Sequence, residues 1–476
     1  MVQRLFLPLL LLVLLCVPRV LAQALPELGD VSAAAITPAD ERRLGESIMR
    51  EIRRDPSYLD DPEVADYVNS LGSRLTVRSD AVRQEFEFFV IQDPQINAFA
   101  LPGGFIGINT GLLLAAQSES EVAGVLGHEV AHVTQRHIAR MIGQQGQNQL
   151  LSIAALAVAI LAARSNSQIG EAAVAFGQAG IVQSQLNFTR DNEREADRIG
   201  LQLLEGAGLD PRGMAVFFER LQRATRIYEG GAPSYLRTHP LTFERIADIQ
   251  NRIEGLPYRQ VPDSLDFQLI RAKLRAETGS PRDAVVFFEA SFTERKFLSE
   301  TASRYGLVAS LIRARDFARA RTEIVPLRKT ANPIIENLAC RLVDAAGDTT
   351  NALKCYQDAR RAYPGYRALF YGHAEQLLRA RQPAVVLQMI DSRMQTQSSD
   401  ARLYRLQAQA YAAQGNSLQQ HRAQGEAYFR SGQLGLAVEQ MQIALKAGGG
   451  DFYQLSAIEA RLREFRRLLL EQERKR

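Results

Sequence analysis

Tryptophan is absent from this 476-residue chain, and cysteine occurs only three times. Neither sign of charge is in excess, because 57 lysines and arginines face 53 aspartates and glutamates, for a net charge of +4. This near balance argues against nucleic acid as a partner. One nearly uncharged apolar run covers 150–163, but it falls short of the roughly 20 residues that cross a bilayer. We predict a buried helix or a membrane-facing segment there, with peripheral membrane contact, rather than a true span.

The first 22 residues have the pattern of an export signal. A basic start with Arg4, a leucine-rich core over 9–15 and small residues at 20–22 predict a secretory signal peptide that is removed from the mature chain. Cleavage after Ala24 is an alternative. Cys16 lies in the apolar core without a small residue immediately before it, so a lipoprotein is not favoured. The sequence therefore predicts an exported protein.

The pattern that carries chemistry is H-E-x-x-H at 128–132. Histidines four positions apart lie on the same face of a helix, so His128 and His132 are able to bind one zinc ion together. Glu129 then lies where it can deprotonate the water that attacks a peptide bond. Acidic and capping residues at 118–121 precede apolar residues at helical spacing, a pattern typical of a buried helix.

A protease zinc site needs a third protein ligand and an open fourth position. Glu193 and Asp197 lie four apart in the charged segment 192–198. On a second helix, Glu193 completes a His-His-Glu set and Asp197 hydrogen-bonds a ligand histidine. The alternative is an ordinary solvated helix face of mixed charge, but the upstream histidine pair favours the metal site. We expect Glu195 to face another way and to be structural.

As a set, these motifs resemble the HtpX-like and CAAX-prenyl-protease-like zinc endopeptidases. The resemblance rests on H-E-x-x-H followed by E-x-x-x-D, on the segment 96–104 before the first helix, and on 238–241 with Arg245 after the second. It implies an α+β zincin domain of the gluzincin type, mostly helical with a small sheet. We place this protease domain at 23–256.

The same resemblance implies one zinc ion (Zn2+) per chain, with His128, His132 and Glu193 as ligands. A His-His-Glu set with one open position also favours zinc on chemical grounds. The expected mechanism is one-step hydrolysis, in which Glu129 moves a proton from water to the leaving amine and no covalent intermediate forms.

His239 follows a glycine-rich stretch at 229–234 that has the composition of a mobile segment. In the family that the chain resembles, the equivalent histidine approaches the zinc from a loop. We therefore expect His239 to occupy the open position at rest, or else to stabilise the oxyanion together with Arg245. We interpret the other isolated histidines as structural: His137, His373 and His421.

A substrate-binding edge is predicted upstream of the metal motif. Composition favours a strand at 86–91 and a second short strand over Asn97, Ala98, Phe99 and Ala100, before a Pro-Gly-Gly turn. In zincins, an edge strand above the metal pairs with the extended backbone of the substrate, which gives affinity with little sequence preference. A plain structural hairpin is the alternative.

From about residue 257 a weak repeat appears. Small residues recur twelve positions apart, and the first members of the first four pairs step by 34, 34 and 32 residues, the tetratricopeptide period. The pairs are Ala272/Ala284, Gly306/Ala318, Cys340/Ala352, Gly372/Ala384 and Gly425/Ala437. Large partners follow at Phe288, Tyr356 and Met441. We predict an all-α tetratricopeptide solenoid over 257–476, with an irregular helical bundle as the alternative. The second helix of its fifth repeat, around 420–428, also serves the next repeat.

Removal of the signal peptide leaves Cys340 and Cys355, which the repeat alignment places on the two helices of one repeat. Two cysteines in an exported chain favour one disulfide. The alternative is two buried thiols that act as small apolar side chains.

A zinc protease joined to a protein-docking array predicts an enzyme that recruits protein substrates and cuts them. The resemblance implies the periplasm of a Gram-negative bacterium as the location. It also implies stalled outer-membrane β-barrel proteins as clients and the barrel-assembly machinery as a partner. The alternative is a chaperone or scaffold with a plugged, proteolytically silent zinc site.

Overall fold

The computed structural model describes six stretches of the chain: 36–77, 84–145, 189–227, 234–257, 260–396 and 399–474. The predicted signal peptide (1–22) and the apolar run at 150–163 lie outside these residues, as does nearly all of the glycine-rich stretch at 229–234. No helix in the described stretches is long and apolar enough to cross a membrane.

The first part of the described chain is helical around one small sheet. Its elements in chain order are α1 (Pro38–Ile52), α2 (Pro62–Thr76), β1 (Glu87–Ile91), β2 (Ala98–Leu101), β3 (Phe105–Asn109), α3 (Thr110–Ala115), α4 (Glu119–Thr134), α5 (His137–Gln145), α6 (Arg190–Gly206), α7 (Arg212–Ile227), α8 (Ser234–Thr238) and α9 (Phe243–Glu254).

Side-chain caps fix where the site-bearing helices begin. The Ser118 side chain accepts a hydrogen bond from the backbone of Glu121 at the start of α4, and Thr189 accepts one from the backbone of Asn192 at the start of α6. Each cap satisfies a backbone donor that has no partner inside its helix. The start of each helix is thereby fixed, and so is the face that each helix turns toward the core.

The sheet has three strands in the order β1-β3-β2, with β1 parallel and β2 antiparallel to β3. The predicted strands at 86–91 and 97–100 match β1 and β2 to within one residue at each end. The third strand was not predicted. Within the described residues β2 pairs only with β3, so β2 lies at an edge of the sheet.

Helices α4 and α6 cross where both have glycine. A Cβ added to Gly200 would lie 3.1 Å from the backbone nitrogen of His128, and one added to Gly127 would lie 3.2 Å from the carbonyl oxygen of Gly200. Both distances are shorter than ordinary van der Waals contact. The two glycines therefore let the backbones approach closely, one residue from the first histidine of the motif.

The second part of the described chain consists of helices that pack on their sequence neighbours. They are α10 (Leu265–Glu277), α11 (Pro281–Thr293), α12 (Glu300–Arg313), α13 (Phe317–Leu327), α14 (Pro333–Ala345), α15 (Thr349–Ala362), α16 (Arg367–Arg379), α17 (Pro383–Met394), α18 (Ala401–Ala413), α19 (Ser417–Arg430), α20 (Leu434–Lys446) and α21 (Phe452–Arg474).

Small residues in these helices accept large side chains. The ring of Phe288 lies against Gly306, and that of Tyr356 lies against Gly372, so closely that a Cβ at either glycine would overlap the ring. Each of these contacts joins one of the predicted pairs to the first small residue of the next pair. The helix α19 packs on both α18 and α20. The tetratricopeptide assignment stays a prediction.

Cys340 in α14 and Cys355 in α15 form a disulfide. The bond joins the two helices of one hairpin, as the first of the two sequence-based alternatives predicts. Since it closes a loop of 15 residues, it restricts the unfolded chain and stabilises the hairpin.

The two parts of the chain share one hydrophobic core, which runs from α2 through α4 and α6 into α10, α12 and α14. A buried polar group accompanies it. Lys273 of α10 lies 2.5 Å from Asp61 and 2.7 Å from Glu63 at the start of α2, and the Asn337 amide donates to Glu63 at 3.0 Å. Helices α10 and α14 therefore contact α2 of the first part directly. The predicted boundary at 256/257 stays a prediction.

Candidate metal centre

The helix α4 brings His128, Glu129 and His132 into the core, where each is at most 1% exposed. One turn of helix separates the two histidines, so their Nε2 atoms face each other at 3.0 Å. Two buried imidazole nitrogens that converge at this distance are placed as two ligands of one cation would be.

Glu193 enters the same space from α6. Its Oε1 lies 3.3 Å from Nε2 of His132, and its Oε2 lies 3.5 Å from Nε2 of His128. The buried face of α6 has polar Glu193 and Asp197 at its start and leucines at its end. The solvated-face alternative for this helix is therefore wrong.

His239 follows α8 and completes the cluster. Its Nδ1 lies 3.0 Å from Oε1 of Glu193 and 3.4 Å from Nε2 of His128, and the residue is 2% exposed. One ligand atom from each of His128, His132, Glu193 and His239 lies within 4.8 Å of the others.

These separations fit a zinc ion. Four nitrogen or oxygen ligands at about 2.0–2.1 Å from a tetrahedral zinc lie roughly 3.3 Å from one another. In five of the six pairs among the four side chains, the separations are 3.0–3.5 Å. The donor set, three imidazoles and one carboxylate, also has the chemistry that zinc prefers.

Asp197 and Arg245 contact the predicted ligands on the side away from the metal position. Nδ1 of His128 lies 2.9 Å from Asp197, which leaves Nε2 directed at the metal position. The Arg245 guanidinium donates twice to Asp197, at 2.8 Å each, once to the carbonyl of Pro240 at 2.8 Å, and pairs with Glu193 at 2.5 Å. Those contacts are typical of a positioning residue, and the predicted role of Arg245 at the oxyanion stays a prediction.

His137, predicted from the sequence to be structural, contacts a predicted ligand. Its Nδ1 lies 2.8 Å from Nδ1 of His132, and its Nε2 lies 3.0 Å from Glu195. Arg140 also donates to Glu195 at 2.9 Å. His137 and Glu195 therefore orient His132 much as Asp197 orients His128. The spacing of five residues from His132 gave no signal for this contact.

Burial and nearby charges shift the pKa values of the site residues in opposite directions. Burial lowers the pKa of His128, but hydrogen bonds to Asp197 and Glu193 raise it to about 9. Burial raises the pKa of Glu129, and the nearby imidazoles of His239 and His128 offset this only in part. Without a cation, His128 therefore retains a proton at neutral pH, and a bound metal ion takes the place of that proton.

The edge strand β2 packs against α4, so the segment Asn97–Ala100 lies beside the metal cluster. Asn97, Ala98 and Phe99 are buried, and Ala100 is partly exposed. The carbonyl of Asn97 accepts a hydrogen bond from Asn109 in β3 at 2.9 Å. The backbone groups of successive residues in a strand alternate between its two edges, so those of Ala98 and Ala100 turn away from β3, as does the carbonyl of Ile96, which accepts from the N–H of Tyr235 at 3.3 Å.

A buried His-His-Glu cluster with a glutamate on the same helix and an edge strand beside it defines a metalloendopeptidase of the zincin class. Comparison with known proteins agrees, since residues 62–253 match the model of peptidase family M48.

Three relatives are informative. The β-barrel assembly-enhancing protease of Escherichia coli is 31% identical over 453 residues, which are 94% of this chain and 92% of that protein. A relative from Vibrio cholerae, whose name also refers to β-barrel assembly, is 38% identical over 307 residues, or 64% of this chain and 63% of that protein. The mitochondrial metalloendopeptidase OMA1 of Schizosaccharomyces pombe is 33% identical over 227 residues, or 46% of this chain and 62% of that protein. The chain belongs to peptidase family M48 and, within it, to the family of the β-barrel assembly-enhancing proteases.

Proposed function

We propose that this protein is an exported zinc endopeptidase that hydrolyses misfolded or stalled outer-membrane β-barrel proteins. The observation that carries the proposal is the buried cluster of His128, His132, Glu193 and His239 beside Glu129. The names of the full-length relatives support the β-barrel clients. The Gram-negative origin of these relatives and the signal-like start of the chain support a periplasmic location.

One zinc ion per chain is held by His128, His132 and Glu193 in this proposal. A bound zinc ion supplies Lewis acidity, which polarises a scissile carbonyl and makes water more acidic. The protein side chains do the remaining work. Asp197 and His137 fix the ligand imidazoles, and Arg245 holds Asp197 and Glu193 in place.

Glu129 is the proposed general base. Both of its carboxylate oxygens are buried, and the backbone N–H of Ala100 and the imidazole of His239 lie beside the carboxylate, so the group lies between β2 and the metal cluster. Burial raises its pKa above that of an ordinary glutamate, which favours a role in proton transfer. It takes a proton from the attacking water and passes it to the leaving amine.

The free edge of β2 is the proposed substrate site. An extended segment of a misfolded client adds to the backbone groups of Ile96, Ala98 and Ala100 as a further strand. Such pairing uses the main chain, so it tolerates many sequences, which suits an enzyme for misfolded proteins.

His239 is the proposed resting ligand in the fourth position. Its 3.0 Å approach to Glu193 and its burial support this state, and its Nε2 also lies 3.5 Å from Glu129. Substrate requires the fourth position, so His239 must leave it before cleavage.

The helical hairpins over 257–476 are proposed to be a tetratricopeptide solenoid that binds clients and the barrel-assembly machinery. The twelve-residue spacing and the ring-against-glycine packing support this assignment. The first hairpins already contact Glu63 of α2 through Lys273 and Asn337. Later helices also contact the first part of the chain, through Arg367 with Asp66 at 2.8 Å and Arg405 with Asp60 at 2.5 Å.

The direct test measures zinc content and cleavage of an unfolded model protein by the purified mature chain. Glu129→Gln should keep one zinc per chain and lose cleavage, and His239→Ala should cleave faster than wild type. If wild type and His239→Ala both bind zinc but neither cuts, the peptidase proposal is wrong.

A second candidate function is a non-proteolytic chaperone or scaffold with a plugged site. The occupation of the cluster by His239, with every member at most 2% exposed, favours it. The distinguishing assay is rescue of β-barrel assembly in cells that lack the protein. Rescue by Glu129→Gln equal to that by wild type supports the scaffold, and loss of rescue supports the protease.

A further inference from the structure

The short helix α8 places a tyrosine four positions before His239. Tyr235 is 1% exposed, and its ring stacks on the His239 imidazole with centroids 4.7 Å apart and an interplanar angle of 24°. The same ring meets Phe218 at 6.0 Å and the edge of the His128 ring at 6.4 Å. Tyr235 therefore supports His239 from one face while it contacts a second member of the metal cluster.

The main chain of Tyr235 reaches the substrate edge. Its backbone N–H donates to the carbonyl of Ile96 at 3.3 Å, and its carbonyl accepts from the N–H of His239 at 2.9 Å. The Ile96 carbonyl faces the free side of the edge strand, because the neighbouring Asn97 carbonyl bonds to β3. The main chain of Tyr235 therefore bonds both to His239 and to the Ile96 carbonyl, which is the first backbone group on that edge at which a substrate strand could pair.

The hydroxyl of Tyr235 is buried, and burial raises its pKa, as do the nearby carboxylates of Glu129 and Glu193. The contacts that the structure shows for holding Tyr235 in place are those of its ring and its main chain.

We propose that Tyr235 is a positioning residue that keeps His239 in the metal cluster and, through the same turn, closes the first pairing position of β2. Release of His239 and opening of the substrate edge are then one event. This inference rests on the proposed function, in which His239 is the resting ligand and β2 binds substrate.

The test uses the zinc-loaded full chain and the rate at which excess EDTA removes the metal. Tyr235→Leu keeps the apolar bulk but removes the stacking, so zinc should leave roughly tenfold faster, about the factor for a lost aromatic pair. Tyr235→Phe keeps the stacking and should release zinc no faster than wild type. Loss of zinc from Tyr235→Phe at the rate of Tyr235→Leu would overturn the proposal.

A double variant separates direct from indirect action. In the His239→Ala background, Tyr235→Leu should change zinc release by less than about twofold, because its partner is already absent. A full effect in that background contradicts the proposed action through His239. In the Glu129→Gln background, which prevents cleavage, Tyr235→Leu should bind an unfolded model protein about tenfold more tightly. Unchanged binding contradicts the link to β2.

Tyr305 provides the matched control. It is also fully buried, but it lies in α12, away from the metal cluster. Tyr305→Leu should leave the zinc release rate at the wild-type value, and a faster release would assign the Tyr235→Leu effect to general loosening. If His239→Ala itself leaves zinc release unchanged, the resting position of His239 is wrong. If only Tyr235→Leu has no effect, the role of Tyr235 alone fails.

Discussion

Arg245 is the residue whose replacement distinguishes best between two accounts of the site. The sequence suggested a charge for the oxyanion, whereas the structure directs its guanidinium at Asp197, Glu193 and the Pro240 carbonyl. With a positioning role, Arg245→Ala should lower zinc content and stability as well as cleavage. With an oxyanion role, only cleavage should fall.

The magnitude follows from burial. Arg245 is 2% exposed, and Asp197 and Glu193 are each 1% exposed. Removing one partner from a buried, hydrogen-bonded ion network leaves uncompensated charge, which costs about 3–5 kcal/mol of unfolding free energy. Arg245→Lys keeps the charge but loses the two-point contact with Asp197, so it should recover only part of this loss.

The assay is urea unfolding of the zinc-loaded protein, with zinc content measured on the same samples. Arg194→Ala is the control, since Arg194 pairs with Glu244 at 3.2 Å on the surface of the same helix as Asp197. An exposed pair of this kind contributes less than about 1 kcal/mol. Wild-type stability and zinc content in Arg245→Ala, together with lost cleavage, would refute the positioning role.

Three further predictions concern packing, the disulfide and pH. Gly200→Ala should weaken zinc binding and destabilise the protein by about 1–3 kcal/mol, because the added Cβ meets the backbone of α4 at the helix crossing. The control is Gly435→Ala in α20, where nothing lies within 4 Å of an added Cβ, so this variant should be unchanged or more stable by about 0.5–1 kcal/mol. Urea unfolding of both variants measures the difference. Joint replacement of Cys340 and Cys355 by alanine should cost about 3 kcal/mol in the same assay, and the unreduced, unfolded mature protein should show no free thiol. Burial and a neighbouring arginine lower the pKa of His373 to about 4 in the folded protein, whereas the pKa of an unfolded histidine is near 6.5. Between these two values the unfolded state binds a proton at this position and the folded state does not. As pH falls from 7 to 5, wild type should therefore lose about 1–2 kcal/mol more stability than His373→Gln, and equal losses would contradict this assignment.

The metal cluster could be anticipated because its signals are local. His128 and His132 are four apart, as are Glu193 and Asp197, and each pair specifies one face of one helix. The contact of His137 with His132 could not be read in this way. The chain leaves α4 through Arg136, whose φ of 52° is in the left-handed region, and that turn brings His137 back toward the ligand.

In the sheet, too, a tertiary contact hid one element from sequence-based prediction. The strands β1 and β2 could be predicted from runs of apolar and aromatic residues, but β3 has Gly107 at its centre. A Cβ there would lie 2.5 Å from the Phe99 ring and 2.8 Å from the Phe89 ring. The glycine that weakens the strand pattern is thus present because two rings close over it, which is a tertiary cause that composition does not reveal.

In the second part of the chain, the regular spacing placed the two cysteines on neighbouring helices, and the disulfide confirms this placement. What the spacing could not predict is the contact between Lys273 and Glu63, which are 210 residues apart. Charged residues in a helix usually indicate a solvated face, whereas Lys273 is 3% exposed and paired across the two parts of the chain.

X-ray absorption at the zinc edge tests the proposed metal site itself, because it counts the ligand atoms of the ion in the purified protein. We expect one zinc with three imidazole nitrogens and one carboxylate oxygen in wild type, and with one imidazole fewer in His239→Ala. Two imidazoles in both proteins would show that His239 is not a ligand at rest. A wild-type protein that binds no zinc would contradict the metal site itself.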